Sequence, residues 1–174
     1  DGRLLVSGGA DGDVRIWDLE SGDSRALEGH GAWVSRVAIH ADGRWVASAD
    51  DDGGVRIWDL EGGDARALLG HVGGVESLAF SPDGMSLATA GQDGTVRLWD
   101  VRMGEGRALE GHGVGVKAVA FAPDGRLVSG GLDGTLRIWQ DPLPRSVAGL
   151  KNWLEEATNA VVGADNQVLF PTGD

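Results

Sequence analysis

Between Val75 and Asp100 apolar and polar residues alternate in short runs broken by Gly, Asp and Pro: VESLAF, SPDG, SLATA, GQDG, TVRLWD. A period of two over four to six residues, bounded by turn formers, predicts strand, turn, strand, turn, strand. The run RALEG at Arg107–Gly111 adds a fourth short strand. Such a set of strands cannot bury its apolar positions alone and needs a neighbour on each face.

That neighbour is supplied by repetition. RIWD at Arg15–Asp18 returns as RIWD at Arg56–Asp59, RLWD at Arg97–Asp100 and RIWQ at Arg137–Gln140, with the tryptophans 41, 41 and 40 residues apart. Gly-His recurs in step at His30, His71 and His112. One Asp-Gly recurs at Asp1, Asp42, Asp83 and Asp124, and a second at Asp11, Asp52, Asp93 and Asp133. Four short antiparallel strands every 41 residues predict the blades of a β-propeller.

Composition narrows the class. The chain has 174 residues, 41% of them hydrophobic, with 30 glycines against five prolines and no G-X-Y period, which fits many tight turns and excludes collagen. A net charge of −12 opposes binding to nucleic-acid phosphates and to anionic membrane surfaces, both of which attract Lys and Arg. Absence of cysteine excludes disulfides, thiolate catalysis and Cys-based zinc sites, and fits a reducing cytoplasm. No run of about 18 apolar residues and no signal-peptide pattern occurs. The chain starts at Asp1, within a repeat, and is read as a fragment.

Gly-His, the inner Asp-Gly and the terminal Trp-Asp at this spacing resemble the WD-repeat family over Asp1 to Gln140. The resemblance implies an all-β propeller arc of four blades, the first and last incomplete, and fourteen strands. Residues 1–140 are expected to form the propeller part, and residues 141–174 a C-terminal helix and short strand packed on the last blade. The last repeat has Gln140 in place of the Trp-Asp aspartate and is one residue short in its second strand.

His30, Ser48 and Asp52 carry the side-chain types of a serine hydrolase triad. The trio returns as His71, Thr89, Asp93 and as His112, Ser129, Asp133, each with a tryptophan, Trp58, Trp99 or Trp139. A triad is needed once, whereas a structural bond network is needed in every blade. No G-x-S-x-G elbow occurs. In the resembled family these positions link the tryptophan N–H, the hydroxyl, the imidazole and the aspartate. The first repeat carries Ser7, Asp11 and Trp17, its histidine falling upstream of Asp1. No catalytic residue is assigned.

Positions that vary between repeats are the candidates for recognition. Three residues past the histidine stand Trp33, Gly74 and Gly115, so the tryptophan is not demanded by the fold. By the family resemblance this position lies on the face where the loops entering each blade meet the central channel, a surface that commonly engages peptides and proteins. Trp33 is either a contact residue or packed over a neighbouring loop. Ser35, Glu76 and Lys117, two residues further on, are expected along the same rim, as are Asp51, Gln92 and Leu132, with Ala10 in the first repeat. Trp45 is expected to pack at an edge.

ADDDG at Ala49–Gly53 invites a calcium reading but lacks the D-x-D-x-D-G spacing and the distal Glu. Asp50 and Asp51 are expected on a solvated turn, with Asp52 engaged in the blade. No phosphate-binding Gly-rich loop is present. No metal and no cofactor is assigned.

From Ser146, a suitable N-cap, VAGLKNWLEEATNAVV places Leu150, Trp153, Leu154, Ala157 and Val161 on one face and predicts an amphipathic helix. NQVLF at Asn166–Phe170 predicts a strand able to complete the fourth blade. LPRSVAGLKNWLEEAT also resembles segments that end bacterial proteins in which WD repeats follow a serine/threonine kinase or a nucleotide-binding oligomerisation module. The expected function is a non-catalytic, cytoplasmic platform for other proteins or peptides, the recognition or autoregulatory end of a larger signalling protein. Remaining blades or a second copy would close the ring. The alternatives are a free-standing scaffold and, least favoured, a hydrolase.

Overall fold

The computed structural model describes residues 2–139 together with Val161–Val162 and Val168–Leu169. The chain divides into two units, Asp1–Trp139 and Gln140–Asp174. The first holds fourteen strands: β1 (Leu4–Gly8), β2 (Val14–Asp18), β3 (Ser24–Leu27), β4 (Val34–Ile39), β5 (Trp45–Asp50), β6 (Val55–Asp59), β7 (Ala65–Leu68), β8 (Val75–Phe80), β9 (Ser86–Gly91), β10 (Val96–Asp100), β11 (Gly106–Leu109), β12 (Val116–Phe121), β13 (Leu127–Gly131) and β14 (Leu136–Trp139). They form four antiparallel sheets, β1-β2-β3, β4-β5-β6-β7, β8-β9-β10-β11 and β12-β13-β14, here blades 1 to 4. Four sheets in this order fit a propeller arc with incomplete first and last blades.

Blades 2 and 3 have a neighbour on each face, so β5 and β9 are buried along nearly their whole length. Val14 and Ile16 of blade 1 pack with Val34, Val46 and Trp58 of blade 2. Ala47, Ala49, Val55 and Ile57 of blade 2 pack with Val75, Leu87 and Trp99 of blade 3. Ala88, Ala90, Val96 and Leu98 of blade 3 pack with Val116, Val119 and Leu127 of blade 4. The same interface is thus built three times. Trp45 packs at the margin of the second of these cores, beneath the Arg44 guanidinium at 5.1 Å.

Turns seat one blade on the next. Gly53 has φ +95°, and a Cβ there would lie 2.8 Å from the Gly73 carbonyl oxygen and 3.0 Å from that of His71. Only glycine fits, because the backbone is left-handed and the following loop touches it. The aspartate of Trp-Asp caps the next turn: Asp59 accepts from the N–H groups of Glu61 and Gly62 at 3.1 Å and from Arg44 at 3.0 and 2.6 Å. The Arg44 guanidinium and then the turn amides lower its carboxyl pKa to about 2.

The first strand of blades 2, 3 and 4 carries a β-bulge in the same place. Val34 and Arg36 oppose Asp50 and Ala49, Val75 and Ser77 oppose Gly91 and Ala90, and Val116 and Ala118 oppose Gly131 and Gly130. The extra residues are Ser35, Glu76 and Lys117, whose side chains are re-aimed by the bulge.

In the second unit β15 (Val161–Val162) pairs with β16 (Val168–Leu169). Val161 therefore lies in a strand and not on a helical stripe, as suits two adjacent β-branched residues. Val168–Leu169 falls within the segment Asn166–Phe170 read as a strand. The rest of the predicted helix, Ser146 to Ala160, lies outside the described residues.

Candidate functional site

The hydrogen-bond chains form in blades 2, 3 and 4. In blade 3 Trp99 Nε1–H donates to Thr89 Oγ1 at 2.9 Å, His71 Nε2 meets the same hydroxyl at 2.7 Å, and Nδ1 lies 3.0 Å from Asp93 Oδ2. In blade 4 Trp139 and His112 meet Ser129 Oγ at 2.8 Å each, and His112 Nδ1 lies 2.9 Å from Asp133. Indole can only donate and carboxylate can only accept, so Nδ1–H donates to the aspartate, and a neutral imidazole then accepts from the hydroxyl at Nε2.

Burial holds the His71 and His30 imidazoles below their ordinary 6.5, against the pull of their aspartates. Burial pushes the Asp93 carboxyl up, but the N–H groups of Thr95 and Val72 and the Thr95 hydroxyl outweigh it and hold it down. The Thr135 N–H and hydroxyl lower Asp133 in the same way. Blade 1 has the Trp17 to Ser7 bond at 3.0 Å, while Asp11 binds the Asp13 N–H and Arg15.

Blade 2 departs from the expectation. His30 Nδ1 lies 2.6 Å from Asp50 Oδ2, and Ser48 Oγ takes His30 Nε2 at 2.6 Å and Trp58 at 2.8 Å. Asp52 is exposed and outside the network, and Asp50, expected on a solvated turn, is buried. Asp50 occupies the position of Gly91 and Gly131. A Cβ at Gly91 would lie 2.4 Å from His71 Nδ1, too close for any side chain unless the imidazole shifts, so the glycine goes with the blade 3 arrangement and the aspartate with that of blade 2. Asp50 also accepts from the N–H groups of Asp52 at 3.1 Å and Gly54 at 2.7 Å, the role that Asp93 plays for Thr95. Gly54 stands where blades 3 and 4 have Thr95 and Thr135, and a Cβ there would lie 2.4 Å from Asp50 Oδ2.

These groups cannot act as nucleophiles. Ser48 and Thr89 are fully buried and Ser129 is 1% exposed, so no substrate carbonyl reaches the hydroxyls. Among the described residues no three His, Cys, Asp or Glu side chains are grouped to hold a metal ion.

The variable positions of blades 2 and 3 come together. The Trp33 carbonyl accepts from the Asp51 N–H at 3.1 Å, that of Gly74 from Gln92 at 3.0 Å, and that of Gly115 from Leu132 at 2.9 Å. Trp33, Ser35, Asp51, Glu76 and Gln92 line one open pocket of about 470 Å³ with Arg36 and Val75. Lys117 joins through Glu76, at 2.6 Å, and Gln92 donates to the same carboxylate at 3.1 Å. The Lys117 ammonium, with Gln92, holds the Glu76 carboxyl below its usual range. Leu132 is exposed one blade further on and does not line this pocket.

Trp33 is 55% exposed, whereas Ser35 Oγ is buried without a hydrogen bond. Arg36 was not anticipated: its Nε donates to the Glu76 carbonyl at 2.6 Å. Its signal was available, since Ser77 and Ala118 stand at the same place in the other repeats.

The model of the WD domain, G-beta repeat, matches residues 1–18, 23–59, 64–100 and 105–140. The chain belongs to the WD40 repeat family. Domains of this family are generally non-catalytic and generally serve as protein–protein interaction modules. No curated protein matches the sequence.

Proposed function

We propose that this chain is a non-catalytic recognition platform whose contact surface centres on Trp33. The observation that carries the reading is an indole half exposed at a position where the sister blades have glycine, beside a pocket lined by Asp51, Glu76 and Gln92. A large aromatic held by a bonded loop offers contact area at little entropic cost. The partner is a protein or peptide, in the cytoplasm. The similarity of Leu143–Thr158 to the ends of bacterial WD-repeat signalling proteins favours a recognition or autoregulatory role within a larger protein over a free-standing scaffold.

The test is affinity capture with the wild-type chain and with Trp33→Ala, alongside their unfolding midpoints. A partner lost by the variant at unchanged stability supports the reading. Equal capture removes Trp33 from the site. A hydrolase would instead lose turnover with Ser48→Ala and keep it with Ser129→Ala.

A further inference from the structure

The pocket between blades 2 and 3 has its cations already engaged. Arg36 Nε donates to the Glu76 carbonyl at 2.6 Å, Nη1 donates to the Ser35 carbonyl at 2.7 Å, and Nη2 lies 3.6 Å from the Glu76 carboxylate. Lys117 Nζ, one blade further on, closes on the same carboxylate at 2.6 Å, and Gln92 Nε2 donates to it at 3.1 Å. Glu76 is therefore flanked by two cations, and neither is left to meet an anion.

The groups that stay open are of the opposite kind. The Asp51 carboxylate is exposed and has no hydrogen bond or ion pair among the described residues. Gln92 Oε1 accepts no hydrogen bond either. Trp33 is 55% exposed, while Ser35 Oγ is shut away from solvent. An incoming group thus meets two acceptors and the face of an indole.

A backbone bond sets two of these groups side by side, since the Asp51 N–H donates to the Trp33 carbonyl at 3.1 Å. The same bond joins Gln92 to Gly74 and Leu132 to Gly115, so blades 3 and 4 hold neutral pairs there without an aromatic ring. Neither the indole nor the carboxylate is needed to make the turn. An aromatic face beside a carboxylate attracts a cation to both. The net charge of −12 draws cations toward the chain as a whole.

We propose that this pocket receives an arginine side chain of the partner, a step that rests on the Trp33 platform. The guanidinium lies on the Trp33 ring and forks onto the Asp51 carboxylate. Arginine fits better than lysine because a planar guanidinium stacks on an indole and presents several N–H groups at once, enough for Asp51 and Gln92 Oε1 together. A lysine ammonium is a compact, strongly hydrated point charge.

The experiment is an NMR titration of the full chain with three acetylated and amidated tripeptides, glycine on either side of arginine, lysine or citrulline, the uncharged isostere of arginine. The readout is the Trp33 indole N–H resonance, identified by its loss in Trp33→Ala. The arginine peptide is expected to shift it saturably, and the citrulline peptide to bind more weakly by about fivefold or more. Asp51→Asn keeps the turn amide and breaks no side-chain bond, and it is expected to weaken the arginine peptide by a similar factor. Asp64→Asn removes the same charge from an exposed position outside the pocket and is expected to leave binding unchanged. No saturable shift with the arginine peptide overturns the proposal, as does equally tight binding of either other peptide or an equal loss in Asp51→Asn and Asp64→Asn. A partner captured by the wild type and by Asp51→Asn but lost by Trp33→Ala overturns it while leaving the platform in place. Equal capture by Trp33→Ala overturns both.

Discussion

His30 Nδ1–H donates a hydrogen bond to Asp50, two residues before the position of the aspartate that serves the equivalent histidines in blades 3 and 4. Gly54 makes this substitution possible by leaving room for the carboxylate, where Thr95 and Thr135 fill the same space and bond to Asp93 and Asp133 at 2.8 Å. The two exchanges act together, so blade 2 retains the wiring with its acid moved along the turn.

Asp50→Ala is expected to destabilise the chain by about 1–3 kcal/mol, since it strands a buried imidazole N–H and two turn amides. Asp52→Ala is expected to change stability by less than about 0.5 kcal/mol, as an exposed residue outside the network. Gly54→Thr alone is expected to be destabilising, and Asp50→Gly with Gly54→Thr is expected to recover most of the loss as Asp52 takes up the role of Asp93. Urea unfolding of the four variants checks the coupling. Equal effects of Asp50→Ala and Asp52→Ala would contradict it.

Acid should weaken the fold before the carboxylates titrate. His30 and His71 are held below 6.5 by burial, so the unfolded chain binds more protons than the folded one between the folded and unfolded values. Their contribution is complete above 6.5 and is lost as pH falls from there through the lowered folded values. The urea midpoint is expected to fall between pH 7.5 and 5.5 and to fall less in His71→Gln. A midpoint flat over that range would contradict the neutral assignment.

Thr89→Ser is expected to be tolerated within about 1 kcal/mol, because Ser48 and Ser129 perform the same task in their own blades. Thr89→Val keeps the shape but removes the bond made by Trp99 and the one made to His71, and is expected to cost about 1–3 kcal/mol for each buried group left unpaired. Thermal unfolding of the two variants separates hydroxyl from methyl.

On the rim, Lys117→Ala is expected to raise the Glu76 carboxyl toward its ordinary value while changing stability by no more than about 1 kcal/mol, since the pair is solvent-accessible. A carboxyl-detected NMR titration reads the first effect and urea unfolding the second.

The period of Trp-Asp, Gly-His and Asp-Gly by itself determined the succession of short strands and the repeat boundaries, because strand alternation and turn chemistry are local properties written every two to four residues; the role of the hydroxyls came with the family resemblance. Variation between aligned repeats singled out Trp33, Asp51, Glu76 and Gln92, and the family resemblance put them on one face. Only the tertiary structure decided that Ser35, Glu76 and Lys117 are bulged residues, since a bulge exists in the pairing of two strands and not in either one. It alone selected Asp50 over Asp52, two like carboxylates, by bringing the Asp50 carboxylate to 2.6 Å from an imidazole 20 residues away in sequence. Gly54 was the local trace of that choice, legible once the space that a threonine would fill was known to hold a carboxylate.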